Sequence, residues 1–128
     1  MDYGNDYILM CTEAEEIQKE HILANGDFEV RLTYGRGQVE VHHHREITAY
    51  YKPDNHLWLP RQDQLQEMLI NESDEDVTAD AITKLLEYFN DFALSVCPQF
   101  PSMEQLWLAF CMKSLYSKTW DGEAWKTN

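Results

Sequence analysis

The segment DFEVRLTYGRGQVEV, residues 27–41, decides the fold class of this chain, because its apolar residues recur at every second position and the pattern then doubles back. Phe28, Val30, Leu32 and Tyr34 fall on one face of an extended strand, with Glu29, Arg31 and Thr33 on the other, which reads as a half-buried strand. Gly35-Arg36-Gly37 supplies positive-φ positions for a tight hairpin, and Gln38 to Arg45 returns with Val39, Val41 and His43 turned inward. Ile47 to Tyr51 extends the ladder as a third strand. Lys52-Pro53-Asp54-Asn55 is a turn by composition, and His56-Leu57-Trp58-Leu59 forms a short edge strand that stops at Pro60.

Outside this β-rich block the period is helical. Upstream, Thr12-Glu13-Ala14-Glu15 has the form of a capping box, and Met10, Ala14, Ile17 and His21 recur at helical spacing, so one short helix is expected before Asn25-Gly26, with Glu13, Glu16 and Glu20 on its exposed face. Downstream, Pro60 suits the first turn of a helix carrying Leu65, Met68 and Leu69. Ile82, Leu85, Leu86, Phe89, Phe92, Ala93 and Val96 then form the clearest amphipathic stripe in the chain. Ser102-Met103-Glu104-Gln105 is a second capping box, and the residues behind it, Leu106 to Met112 and Leu115, are apolar nearly all round, as in a helix that is central or that meets a partner. Asp121-Gly122 ends that helix and leaves a frayed tail. The expected architecture is α+β: a small antiparallel sheet of three to four strands over residues 27–59, packed against about four helices that are mostly C-terminal, in a single domain spanning residues 1–128.

Composition supports an ordered core and narrows the function classes. Apolar residues make up 44% of the 128 and aromatics 12%, enough for one core and against general disorder. Ten Lys and Arg face 23 Asp and Glu, a net charge of −13 that repels phosphate backbones and anionic membranes, so direct nucleic-acid or membrane binding is not expected. Cys11, Cys97 and Cys111 are odd in number and far apart, without the spacing of a disulfide framework or a zinc site. The first residues lack a signal-peptide pattern and no stretch is apolar enough to span a bilayer, which places the expected site of action in a reducing cytoplasm.

Several longer blocks stand out in order and composition: Glu16-Ile17-Gln18, Gly26-Asp27-Phe28, the run WLPRQDQLQEML (58–69) and the run SMEQLWLAF (102–110). Met112-Lys113, Tyr116, Lys118, Trp120-Asp121-Gly122 and Trp125 complete the set. In these blocks the chain resembles a family of small proteins of bacteriophages and prophages of Gram-positive bacteria, for which no biochemical activity is established. The resemblance implies a phage-encoded protein acting in the cytoplasm of a bacterial host cell. Val41-His42-His43-His44 and the segment from Lys19 to Ala24 depart from the family pattern, so a site built on those histidines would be peculiar to this chain.

Candidate chemistry is sparse. His42 and His44, two apart on a strand with Glu40 and Glu46, have the geometry for a divalent metal, but two imidazoles fall short of the three protein ligands of a catalytic site, and a polar outer face explains them as well. No cofactor is expected beyond adventitious metal. Asp76, Thr78, Asp80 and Glu87 match positions of a calcium loop, yet Ala81 stands where the sharp turn needs glycine. Nucleophile-elbow, P-loop and dinucleotide motifs are absent, so no catalytic residue is assigned. The amide-rich cluster Gln62, Asp63, Gln64 and Gln66 reads as a solvated helix surface or a recognition face. The preferred expectation is a non-enzymatic interaction protein whose docking face draws on Glu13, Glu16, Glu20, Glu72, Asp74, Glu75 and Asp76, with a host or phage protein as partner. Competing expectations are a metal-dependent enzyme or accessory using His42 and His44, and a minor virion or assembly component. Monomer and dimer are both open, since the apolar helix after Ser102 suits either a core or a seam.

Overall fold

In a computed structural model of the chain, residues 1–33, 36–41, 56–71, 78–96 and 99–128 are described, the side chains at 31–33 and 36–41 excepted. The fold is α+β, with five helices, one three-stranded and one two-stranded antiparallel sheet among the described residues. The chain divides into two compact units, Tyr3–Arg61 and Met1–Asp2 with Gln62–Asn128. That division falls next to Pro60, where the sequence changes from period two to helical spacing.

In the Tyr3–Arg61 unit the order is α1 (Asn5–Glu13), α2 (Glu15–Glu20), β1 (Phe28–Thr33), β2 (Arg36–Val41) and β3 (His56–Leu59). The expected hairpin is present, with Phe28 opposite Val41 and Val30 opposite Val39. Its connection is shorter than expected: Thr33 is already paired with Arg36, so Arg36 and Gly37 belong to β2 rather than to the turn. β3 is the edge strand that the Pro60 stop called for, in the sheet order β2-β1-β3. The proposed third strand over Ile47 to Tyr51 lies outside the described residues.

The N-terminal helix differs from expectation. Thr12 caps nothing: its hydroxyl donates to the carbonyl of Ile8 at 2.7 Å, one turn back inside α1, an alternative open to any helical threonine. The chain breaks instead at Ala14 (φ −85°, ψ 64°), which closes α1 and opens α2. Met10, Ala14 and Ile17 are nonetheless all buried, although the stripe spans two helices, while its fourth member, His21, lies past α2 as the C-cap and is half-buried. Glu13 consequently ends one helix, while Glu16 and Glu20 lie on the next.

The second unit contains α3 (Gln62–Asn71), α4 (Ala79–Val96), α5 (Met103–Tyr116), β4 (Lys118–Trp120) and β5 (Trp125–Thr127). α5 is its centre: Gln105 and the whole run from Trp107 to Met112 are buried, as a helix apolar on all sides requires. Ser102 is its N-cap and accepts from the Gln105 amide. Gln105 does not reach back as in a full capping box. Its Nε2 donates to Asp2 Oδ2 at 2.9 Å, which also accepts from the Ser102 hydroxyl at 2.6 Å, so an acidic side chain near the start of the sequence occupies the positive end of the helix. Cys111 packs as a small apolar residue and adds a hydrogen bond from Sγ to the Leu65 carbonyl at 3.3 Å, tying α5 to α3, and burial raises its thiol pKa far above the usual range.

The tail is not frayed. α5 ends at Ser117 in the left-handed conformation (φ 54°), and β4 and β5 pair as a hairpin with Trp120 opposite Trp125. The two indoles lie 4.9 Å apart and are both buried, an aromatic cross-strand pair that ties down a segment the hydropathy pattern left loose. Asp121 builds the turn by accepting from the amides of Glu123 and Ala124, each at 2.8 Å, and Gly122 takes φ 106°, where a side chain would be strained.

Those two amides hold the Asp121 carboxyl below its usual pKa, with Lys126 nearby adding to the effect. A depressed carboxylate contributes stability that is present at neutral pH and is lost as pH falls through the folded value. The contribution of Asp121 is therefore expected to be complete above the ordinary aspartate range and to fade as pH drops from that range to the lower folded value. Carboxyl-carbon NMR titration reads this directly, and a midpoint for Asp121 at or above that of a free aspartate would contradict it.

Candidate functional site

A cluster of polar side chains surrounds Trp58 on β3. Glu29 pairs with Trp58 across the strands and Arg31 with His56, so Glu29 and His56 are diagonal neighbours on one face of the sheet. Nδ1 of His56 lies 2.6 Å from Oε2 of Glu29, with the two side chains only 7% and 2% exposed. The face of β1 expected to be the polar, solvent-facing one is thus interior at Glu29.

A second imidazole stacks on the indole. His21, the C-cap of α2, stacks on Trp58 with ring centroids 3.4 Å apart and planes 7° from parallel. Its Nε2 is 2.7 Å from Oδ2 of Asp27, which also accepts the Ala24 amide at 2.8 Å, while Arg61 stands 3.9 Å from Oδ1 and donates to the Gly26 carbonyl. Gln18 closes the open edge of β3: its amide accepts from Trp58 N at 3.0 Å and donates to Trp58 O at 2.8 Å, the two bonds that another strand would have made. Tyr7 adds a buried bond from its hydroxyl to Pro60 O at 2.7 Å.

An imidazole oriented by a carboxylate is the geometry of a general base, and two such pairs stand here. Among the described residues, however, no hydroxyl or thiol is hydrogen-bonded to either imidazole, and one face of the His21 ring is covered by Trp58. The cluster's bonds run between elements: α2 to β3 through Gln18, the α2 end to the β1 start through His21 and Asp27, and β1 to β3 through Glu29 and His56. Its evident work is to hold the unit together. Sequence reading missed both pairs. The available signal was β3 itself, where His56 and Trp58 alternate with Leu57 and Leu59: a strand with bulky side chains on both faces is covered on both, and its partner's Glu29 must be covered too.

Of the sequence-predicted site residues, Glu13, Glu16 and Glu20 are among the described ones. His42 and His44, and Glu72, Asp74, Glu75 and Asp76, lie outside the described residues. Glu13 and Glu20 are exposed and Glu16 is half-buried. Among the described residues no three His, Cys, Asp or Glu side chains form a group that could hold a metal, and no helix is long and apolar enough to cross a membrane. Thr78 caps α4 through its hydroxyl, which accepts from Ala81 N, so helix runs through Asp80 and Glu87 where a calcium loop would need an open turn. Gln62, Gln64 and Gln66 are half-buried and Asp63 is exposed along α3.

α4 carries a feature the amphipathic pattern did not foretell. Phe92 is buried and Phe89 stacks on Trp107 at 3.7 Å, but Ile82 and Leu86 on the same stripe are 40% and 50% exposed, and Tyr88 and Leu94 beyond it are 65% and 73% exposed. In comparisons with protein-family models, with curated proteins and with solved structures, nothing matches this chain.

Proposed function

We propose that this chain is a non-enzymatic, phage-encoded protein that acts in the cytoplasm of a bacterial host cell by binding a host or phage protein, as a modulator of host defence, replication or transcription. The observation that carries the reading is α4, which leaves Ile82 and Leu86 in water on the stripe that its own sequence marks as apolar. Apolar side chains grouped on an exposed helix stripe fit a partner surface better than they fit solvent. The net charge of −13 favours a basic partner by steering association, and the sequence blocks around Trp58 and Trp107 support the phage origin.

The two imidazole–carboxylate pairs support a structural role over a catalytic one, because one joins the end of α2 to the start of β1 and the other joins β1 to β3. The test uses the full chain and a variant carrying Ile82→Ser and Leu86→Ser as baits in lysate of infected host cells, at low and high salt. A protein retained by the parent chain and lost by the variant is the expected result. Absence of any partner at every salt concentration, or a partner indifferent to the two substitutions, would remove the reading.

A further inference from the structure

The turn that leads from α2 into β1 carries the pair Asn25-Gly26. The Asp27 amide donates to the Ala24 carbonyl at 3.1 Å, which makes Asn25 and Gly26 the central residues of a β-turn. Gly26 has φ 94°, as the third position of a type II turn requires, and a Cβ built there would meet nothing within 4 Å. Both central residues are exposed. Among the described residues neither the Asn25 carboxamide nor the Gly26 N–H makes a hydrogen bond, while the Gly26 carbonyl accepts from Arg61 Nη1 at 3.1 Å.

These are the conditions under which an asparagine side chain reacts with its own backbone. The nitrogen of the next residue is the nucleophile and the carboxamide carbon the electrophile, and their union closes a small cyclic imide. A Cβ on the next residue obstructs that approach, and a hydrogen bond on its N–H holds the nitrogen in place. Gly26 lacks the first, and the turn leaves out the second.

Two other positions lack this combination. Asp121-Gly122 is also an exposed turn, with Gly122 at φ 106° in open space. There the Asp121 carboxylate accepts from two amides at 2.8 Å and is held below its usual pKa, so the neutral acid that ring closure needs is scarce. Asn90 is exposed on α4, but the amide that follows it lies within the helix, where each N–H bonds one turn back, and Asp91 has a Cβ.

We propose that Asn25 is a site of spontaneous covalent modification. The Gly26 nitrogen bonds to Asn25 Cγ, the Cγ–Nδ2 bond breaks, and Nδ2 leaves as ammonia with the Gly26 proton. Water then opens the imide on either side. Cleavage between Cγ and the Gly26 nitrogen gives aspartate; cleavage between that nitrogen and the Asn25 main-chain carbonyl carbon gives isoaspartate, whose main chain runs through Cβ and Cγ and is longer by one atom. No electrons are transferred.

Its place in the fold gives the second product an effect. Asp27 Oδ2 accepts the Ala24 amide at 2.8 Å and lies 2.7 Å from His21 Nε2, and both contacts depend on the spacing of Ala24 and Asp27 across the turn. An extra main-chain atom between those residues changes the spacing, so isoaspartate at position 25 releases His21 from Asp27 at the junction of α2 and β1. The inference is independent of the α4 reading.

The test incubates the full chain in warm, mildly alkaline buffer, folded and in urea, then maps its peptides by mass for amide-to-acid exchange and detects isoaspartate with isoaspartyl methyltransferase. Asn25 in the folded chain is expected to convert at least about tenfold faster than Asn90, a barrier difference of about 1.4 kcal/mol, and at a rate close to its own in urea. Isoaspartate at Asp121 should form more slowly in the folded chain than in urea. Asn25→Gln, with a side chain one methylene too long for the same ring, should keep the fold and give no product. The isoaspartyl chain should show His21 ring NMR signals displaced from those of the parent, and Asn25→Asp, which carries the other product, should keep them. Conversion at Asn25 no faster than at Asn90, or much slower than in urea, would overturn the site. Unmoved His21 signals in the isoaspartyl chain, or an equal displacement in Asn25→Asp, would overturn its effect on the turn.

Discussion

Trp107→Ala is expected to destabilise the protein by about 3–5 kcal/mol, the range for removing a large aromatic from a packed interior. Trp107 is 1% exposed at the middle of α5, stacked face to face with Phe89 of α4 and set edge-on to Phe110 at 5.9 Å. Truncation opens a cavity where the two helices meet and strips Phe89 of its partner. Trp107→Phe makes a sharper comparison. The indole Nε1 is buried and has no acceptor among the described residues, so phenylalanine keeps most of the stacking surface and deletes a donor that is already unsatisfied. Urea unfolding followed by near-ultraviolet circular dichroism should therefore show a large loss for alanine and a small one for phenylalanine. Equal losses would mean that the ring contacts contribute little.

The second large effect lies in the other unit and has the opposite logic. His56→Leu is expected to cost about 3–5 kcal/mol at neutral pH, because it leaves the Glu29 carboxylate, 2% exposed, buried without the imidazole 2.6 Å away. Replacing both members, Glu29→Leu with His56→Leu, should restore most of that stability, since an apolar pair of similar size carries no desolvation penalty. The double-mutant cycle thus predicts a strong positive coupling. If the two substitutions together cost the sum of the single ones, the pair is not acting as a unit and the reading of the Trp58 cluster as a structural latch fails. Hydrogen exchange at Val30 and Leu57, which face each other across β1 and β3, would show whether the loss is confined to the sheet.

Much of the architecture was legible because it rests on interactions between near neighbours in the chain. The alternation after Asp27 dictates an extended strand, since only that geometry sends Phe28 and Val30 to one side. Ser102 caps α5 because a hydroxyl in that position satisfies an amide three residues on, and the run from Trp107 to Met112 had to become a central helix because no face of it suits water. Pro60 closed β3 for lack of an N–H. Each inference needs only a few residues and elementary sterics.

What escaped the sequence depends on partners far along the chain. Thr12-Glu13-Ala14-Glu15 carries the signature of a cap, yet Thr12 bonds back to Ile8 and the break falls at Ala14, where both options are locally allowed. Glu29 looked like solvent-facing polarity until His56, 27 positions away, came within 2.6 Å. Trp120 and Trp125 looked like the end of a frayed tail until the turn at Asp121 set their rings against each other. The candidate surface follows the same rule: the sequence marked the apolar stripe of α4, but its exposure at Ile82 and Leu86 comes from packing.

By itself, then, the order of residues determined which segments are strand and which are helix through most of the chain, along with its acidity, because backbone preference and side-chain period act over a few residues. Only the tertiary structure decided which polar groups are interior and which apolar ones are left in water. Those outcomes turn on desolvation, and whether a group loses its water is settled by what packs against it from elsewhere in the chain.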